Sequence, residues 1–232
     1  MIRTNSLSKT FKSRTGTTEA VKDVFVTFPP GLSVLIGGNG SGKSTLIRLL
    51  CTIEKPTRGG FSVDGTEIAG RALVNYRRRI GYVPQDVRFA STMTCRDALA
   101  YAGWVAGLDR RAYLRRIPEV LEMIELPEIE NSRVSNLSGG QTRRVGIAAS
   151  LIHSPDILFL DEPTAGLDPQ ARIEVRHLLN RLKDSATIIL STHLQDDLEH
   201  VADNVVALHN GRIAYELSLI HISEPTRRYA IS

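Results

Sequence analysis

The stretch Ser33–Thr45 reads "SVLIGGNGSGKST": a short apolar run, a glycine-rich turn, then Lys-Ser-Thr. Residues 37–45 satisfy G-x-x-x-x-G-K-[ST], and Leu46, Leu49, Leu50 and Ile53 follow at helical spacing. A strand, a glycine turn and a helix start in that order form a phosphate cradle. Glycines let backbone N–H groups converge on phosphate oxygens, and the helix N-terminus adds partial positive charge. In such a loop Gly37, Gly38, Asn39, Gly40, Ser41, Gly42 and Thr45 shape the cradle. Lys43 reaches the β- and γ-phosphates, and the Ser44 hydroxyl can ligate Mg²⁺.

Two more continuous apolar runs, "ILFL" (residues 157–160) and "TIILS" (187–191), read as strands covered on both faces. Val175, Leu178, Leu179 and Leu182 follow the first of these at helical spacing. Strand-then-helix alternation predicts an α/β domain with a mostly parallel central sheet. Val24, Val26 and Phe28, alternating with Phe25 and Thr27, predict one half-buried strand. Between about residues 92 and 153 the pattern becomes helical and predicts an insertion. Thr94 with Asp97 is a capping-box candidate there, and Pro118 marks a kink or a new helix start. Asn210-Gly211 between two alternating runs predicts a tight hairpin.

Asp161 ends the run "ILFLD", where the carboxyl end of a buried strand meets ligands in open α/β sheets. There it would hold the metal, while the adjacent Glu162 would orient or deprotonate an attacking water. A second glycine-rich helix start, "LSGGQ" (residues 137–141), offers Ser138, Gly139, Gly140 and Gln141 as another anion site, although Ser138 also reads as a simple N-cap. Asp168 before Pro169 has the form of an N-cap with proline at the first helical position.

The 232 residues, 42% of them hydrophobic, suffice for one main domain. Cys51 and Cys95 form neither a disulfide framework nor a zinc motif, and they read as reduced thiols in a cytosolic protein. No stretch approaches the roughly 20 apolar residues of a membrane span. The net charge of +4 is mild, and arginine clusters such as Arg77–Arg79, Arg110/Arg111 and Arg143/Arg144 are not interleaved with aromatics. They read as solvated helix faces, and no nucleic-acid partner is expected.

The ordered set "GGNGSGKST", "YVPQD", "LSGGQ", "LFLDEPTAGLDP" and "STH" resembles the ATP-binding subunit of an ABC transporter over nearly the whole chain. The resemblance implies a P-loop NTPase fold with an antiparallel β subdomain beside the central sheet and the helical insertion. It implies ATP and Mg²⁺ as ligands, with Ser44, Gln85 and Asp161 at the metal and Glu162, His193 and Gln85 in catalysis. His193 would contact the γ-phosphate, and Phe11 would stack on adenine. Ser138, Gly139, Gly140, Gln141 and Asp168 would reach nucleotide in trans, from a second copy or a paralogue placed head to tail. Gly38 stands where many relatives have proline, and Thr142 where a basic or polar residue is common.

The resemblance also implies a transmembrane permease as partner, with the chain peripheral to the cytoplasmic face of the membrane. Asp97–Leu108, apolar over more than one helical face, reads as packing within the insertion or, with Tyr101, Trp104 and Val105 at a surface, as a groove formed with the Gln85 loop for a cytoplasmic helix of that permease. Overall style favours a bacterial exporter; the alternative is an ABC-type ATPase acting on the ribosome or DNA. Residues 217–227, "LSLIHISEPTR", resemble translated sequencing-adapter read-through, so 1–216 reads as the ATP-binding domain and 217–232 as a non-native tail.

Overall fold

The computed structural model describes residues 1–14, 16–193 and 202–218. Among these, two sheets pack with helices around them. The first is antiparallel and centres on β1 (Ile2–Ser13), which pairs with β2 (Gly16–Val24), β3 (Thr27–Phe28) and β5 (Arg58–Val63); β6 (Thr66–Glu67) extends β5. The second takes in β4 (Leu32–Ile36), β7 (Ile80–Val83), β8 (Ile157–Asp161), β9 (Thr187–Thr192), β10 (Asn204–His209) and β11 (Arg212–Ser218) in the order β11-β10-β4-β9-β8-β7. Every pairing in it is parallel except β10 with the edge strand β11.

The continuous apolar runs have a direct cause in this layering. Leu158 and Leu160 of β8 enter one core cluster, whereas Ile157 and Phe159 enter the other. In β9, Ile188 and Leu190 divide from Ile189 in the same way, because successive side chains leave a strand on opposite faces. One face carries α1 (Lys43–Leu50) and the antiparallel sheet. The other carries α6 (Pro169–Leu182) and the insertion helices α3 (Cys95–Val105), α4 (Arg110–Met123) and α5 (Gly139–Leu151). A further helix, α2 (Ala72–Arg79), leads into β7. Both cysteines are buried and unpaired, and burial together with the nearby Asp161 charge pushes the Cys51 thiol well up.

Several expectations hold in detail. Thr94 and Asp97 close the capping box of α3. Asn210 (φ 49°) and Gly211 (φ 80°) make the two-residue turn between β10 and β11, both in the left-handed region that a type I′ turn requires.

Others need correction. The single strand expected over residues 24–28 is interrupted at Phe25–Val26, although Val24, Val26 and Phe28 are all buried. Ile53 does not extend the α1 face: Thr52 turns left-handed (φ 58°) after the helix ends, and Ile53 is exposed. Pro118 starts no new helix, because Asp109 caps α4 upstream and the helix runs through the proline. β11 continues to Ser218, two residues into the segment set aside as a tail, because its pairing to β10 uses backbone groups alone. Residues 219–232 lie outside the described residues. No described helix is long and apolar enough to cross a membrane.

Phe159 is fully buried at the centre of β8. Phe159→Ala is expected to cost about 3–5 kcal/mol of stability, read as a lowered urea midpoint with an unchanged slope.

Candidate active site

Four neighbouring parallel strands deliver the site from their carboxyl ends: β4 leads into Gly37, β7 into Pro84 and Gln85, β8 ends on Asp161, and β9 leads into His193. This is where ligands of open α/β sheets bind. The result is one cleft of about 640 Å³ lined by Phe11, residues 39–45, Gln85, Glu162 and His193.

The glycine loop is shaped by close approach. A Cβ on Gly42 (φ 107°) would lie 2.4 Å from the Ala20 carbonyl oxygen, and one on Gly37 would lie 2.4 Å from that of Leu208. Gly38 is different, since a Cβ there meets nothing within 4 Å, so no close approach demands glycine at this position. Gly42 caps α1 with no side-chain bond, so the first N–H groups of the helix face the cleft uncapped. Lys43 Nζ donates to the Gly37 carbonyl at 2.8 Å and the Gly38 carbonyl at 3.3 Å, which holds its ammonium inside the loop.

Beneath the loop, Asp161 Oδ1 accepts from Ser44 Oγ at 2.9 Å and from Ser191 Oγ at 2.7 Å. Glu162 is 8% exposed and adopts φ 49°, a strained conformation for a side chain of its size. Its N–H is fixed by the Ser191 carbonyl at 3.1 Å and the Ser191 hydroxyl at 3.0 Å. The carboxylate thereby sits between two cationic or donor groups, with Lys43 Nζ 3.7 Å from Oε1 and His193 Nδ1 3.0 Å from Oε2. A carboxylate can only accept, so His193 Nδ1 carries the proton of that bond.

Mg²⁺ prefers oxygen ligands and rarely sits in an all-protein cage. The Ser44 hydroxyl and Asp161 carboxylate supply such oxygens side by side. No cluster of three or more His, Cys, Asp or Glu that could hold a metal ion occurs among the described residues.

The second glycine motif lies elsewhere. Ser138 accepts from Gln141 N–H at 3.2 Å while Gln141 Oε1 accepts from Ser138 N–H, a full capping box at the start of α5. Asp168 caps α6, accepting from Ala171 N–H at 3.0 Å. A Cβ on Gly140 would lie 2.7 Å from Ala171 Cβ, so glycine there lets the two helix starts meet on one exposed edge. None of Ser138, Gly139, Gly140, Gln141 or Asp168 lines the cleft.

Sequence reading missed some of this. Lys9 Nζ lies 4.9 Å above the Phe11 ring and is itself paired with Glu54 at 2.9 Å. Arg143 and Arg144 are not solvated. Arg143 is 8% exposed and donates to the Pro84 and Gln85 carbonyls. Arg144 is largely buried against Glu174 and the Ile124 carbonyl. Doublets of arginine carry no signal of which main-chain oxygens will meet them.

A larger groove of about 900 Å³ runs between α3 and the segment after β7, with Tyr82, Val87, Phe89, Tyr101 and Val105 in its walls and Arg77, Arg78 and Arg88 beside them. Trp104, expected within it, is 65% exposed and stands next to it, tilted against Tyr101 at 6.0 Å.

Comparison with known proteins agrees with this geometry. The family profile described as "ABC transporter" matches residues 21–165. An uncharacterised ABC transporter ATP-binding protein of Bacillus subtilis, YxlF, is 36% identical over all of this chain and 76% of its own length. The methionine import ATP-binding protein MetN 2 of Bacillus licheniformis is 35% identical over 99% of this chain and 70% of its own length. Among solved structures, the dimeric bacterial ABC transporter cassette MJ0796 superposes with a TM-score of 0.81 at 28% identity, over 94% of this chain and 99% of that one. The same cassette is also known as a dimer in a post-hydrolysis state with ADP and Pi. The chain belongs to the ABC transporter ATP-binding family: it is the ATP-hydrolysing, ATP-binding subunit of an ABC transporter.

Proposed function

We propose that this subunit drives transport by closing head to tail with a second copy or a paralogue, each nucleotide held by the loop of one subunit and the "LSGGQ" edge of the other. The observation that carries this is the separation just described. Lys43, Ser44, Glu162 and His193 converge on one cleft, and Ser138 and Asp168 share an exposed edge outside it. A group that caps the γ-phosphate must then come from another subunit.

Within the cleft, the loop N–H groups and Lys43 bind the phosphates, and Phe11 stacks on the base. Glu162 accepts a proton from the attacking water, and His193 orients Glu162 and contacts the terminal phosphate. Ser44, Asp161 and Gln85 would hold Mg²⁺, which when bound neutralises charge on the β- and γ-oxygens. Loss of the γ-phosphate removes contacts from both subunits and releases the pair.

The groove beside α3 receives a short amphipathic cytoplasmic segment of the permease, which sets the subunit at the cytoplasmic face of the membrane. Among the described residues no carboxylate lines the groove, and Arg77 and Arg78 stand at its side, so the segment would carry acidic residues next to its apolar face. The expectation of export finds no support in the relatives. Several relatives carry names that state a direction, and these are methionine import proteins, such as the Bacillus subtilis MetN at 35% identity; import is the direction we put forward. This chain spans 58–70% of several such relatives, so their cargo is not carried over. The ribosome or DNA alternative finds no support either, since the matched relatives are named as transporter subunits.

Three outcomes follow for the full chain. Glu162→Gln retains ATP binding and slows turnover about 10²- to 10⁴-fold, with an ATP-dependent dimer visible by light scattering. Phe11→Ala weakens ATP binding by about 1–3 kcal/mol but leaves inorganic triphosphate binding unchanged, as read by calorimetry. Tyr101→Glu abolishes co-purification with the permease while basal ATP affinity stays normal.

A further inference from the structure

Arg143 is a buried guanidinium with no carboxylate partner among the described residues. Its two terminal nitrogens donate to consecutive main-chain oxygens, Nη1 to Pro84 at 3.0 Å and Nη2 to Gln85 at 2.8 Å. Burial holds its pKa below the usual arginine value, against the pull of the nearby Asp86 charge, and these two charge-assisted bonds help to offset its desolvation. One turn further along α5, a Cβ on Gly146 would come within 2.8 Å and 2.9 Å of the two methyl carbons of Val87. Glycine there lets the loop lie directly on the helix. α5 thus grips residues 84, 85 and 87 at two independent points.

The same helix begins at the "LSGGQ" edge. Ser138 caps it, and Arg143 lies five positions on, about 7.5 Å along the axis. A helix is stiff over that distance, so a displacement imposed at the cap is delivered to whatever Arg143 holds.

We propose that Arg143 is a positioning residue that fastens the Gln85 loop to α5, so that engagement of Ser138 by the opposite subunit's nucleotide moves Gln85 within its own subunit. The inference rests on the reading of Gln85 as a group at the metal and water. It makes the two nucleotide sites of a dimer communicate through one helix: the start of α5 senses one site, and the loop it carries completes the other. Lysine cannot replace the guanidinium here, because a single ammonium point charge lacks the planar fork that spans two carbonyls.

The test uses the full chain as Arg143→Met and Arg143→Lys, each alone and combined with Gln85→Ala, with melting temperature recorded for every variant. Amide hydrogen exchange of the segment after β7 should quicken in Arg143→Met, and less so in Arg143→Lys, which keeps the charge and fold. With Gln85 present, kcat should fall about ten- to a hundredfold with KM for Mg-ATP little changed; with Gln85→Ala, Arg143→Met should produce no further loss. Unchanged exchange in both Arg143 variants overturns the proposal, as does an equal loss of kcat in both backgrounds. If Gln85→Ala alone leaves turnover normal while exchange still quickens, the fastening stands and the reading of Gln85 falls.

Discussion

Asp161 Oδ1 accepts hydroxyl protons from Ser44, at the start of α1, and from Ser191, in β9. That one oxygen ties together three elements that frame the cleft: the helix after the glycine loop, the strand that ends in Asp161, and the strand that leads to His193. Ser191 also clamps the Glu162 N–H with both its hydroxyl and its carbonyl. The strained backbone of Glu162 is thereby over-determined, and its carboxylate is aimed between Lys43 and His193. Loosening this knot would move Glu162, the Ser44 and Asp161 oxygens and the glycine loop together.

The sheet that supports the knot is held from both faces. Alternate residues of β4, β8 and β9 feed two separate cores, one closed by α1 and the antiparallel sheet, the other by α6 and the insertion helices. The nucleotide cleft opens at the strand ends near the first core. The helix α5 belongs to the second, which it shares with α6 and the strands, and it reaches the cleft through the segment after β7. The contacts of Arg143 and Gly146 fall at that attachment.

Much of this architecture is written in local pattern. Continuous apolar runs announced β4, β8 and β9 because strands buried on both faces have no polar positions to alternate with. The glycine loop was legible because Gly42 and Gly37 occupy places where any Cβ would collide with a carbonyl oxygen. The caps at Thr94 and Ser138 and the Asn210-Gly211 turn are decided within a few residues. What escaped reading is set by partners far away in the chain. β7, with Gly81 in its four residues, is too short to carry a period. The pairing of Lys9 with Glu54, the buried fork of Arg143 and the position of Trp104 beside its groove depend on tertiary approach that no local pattern encodes. β11 crossed the expected tail boundary because backbone pairing is indifferent to which side chains it carries.

The central claim is that each catalytic site is shared between two subunits. It is tested most directly by complementation: a Lys43→Ala subunit, which keeps an intact "LSGGQ" edge, is mixed with a Ser138→Arg subunit, which keeps an intact phosphate loop. Each alone should be inactive, and the mixture should recover ATP turnover, because a mixed pair contains one complete composite site. A mixture as inactive as its components, under conditions where the unmodified subunit turns over ATP, would contradict the account.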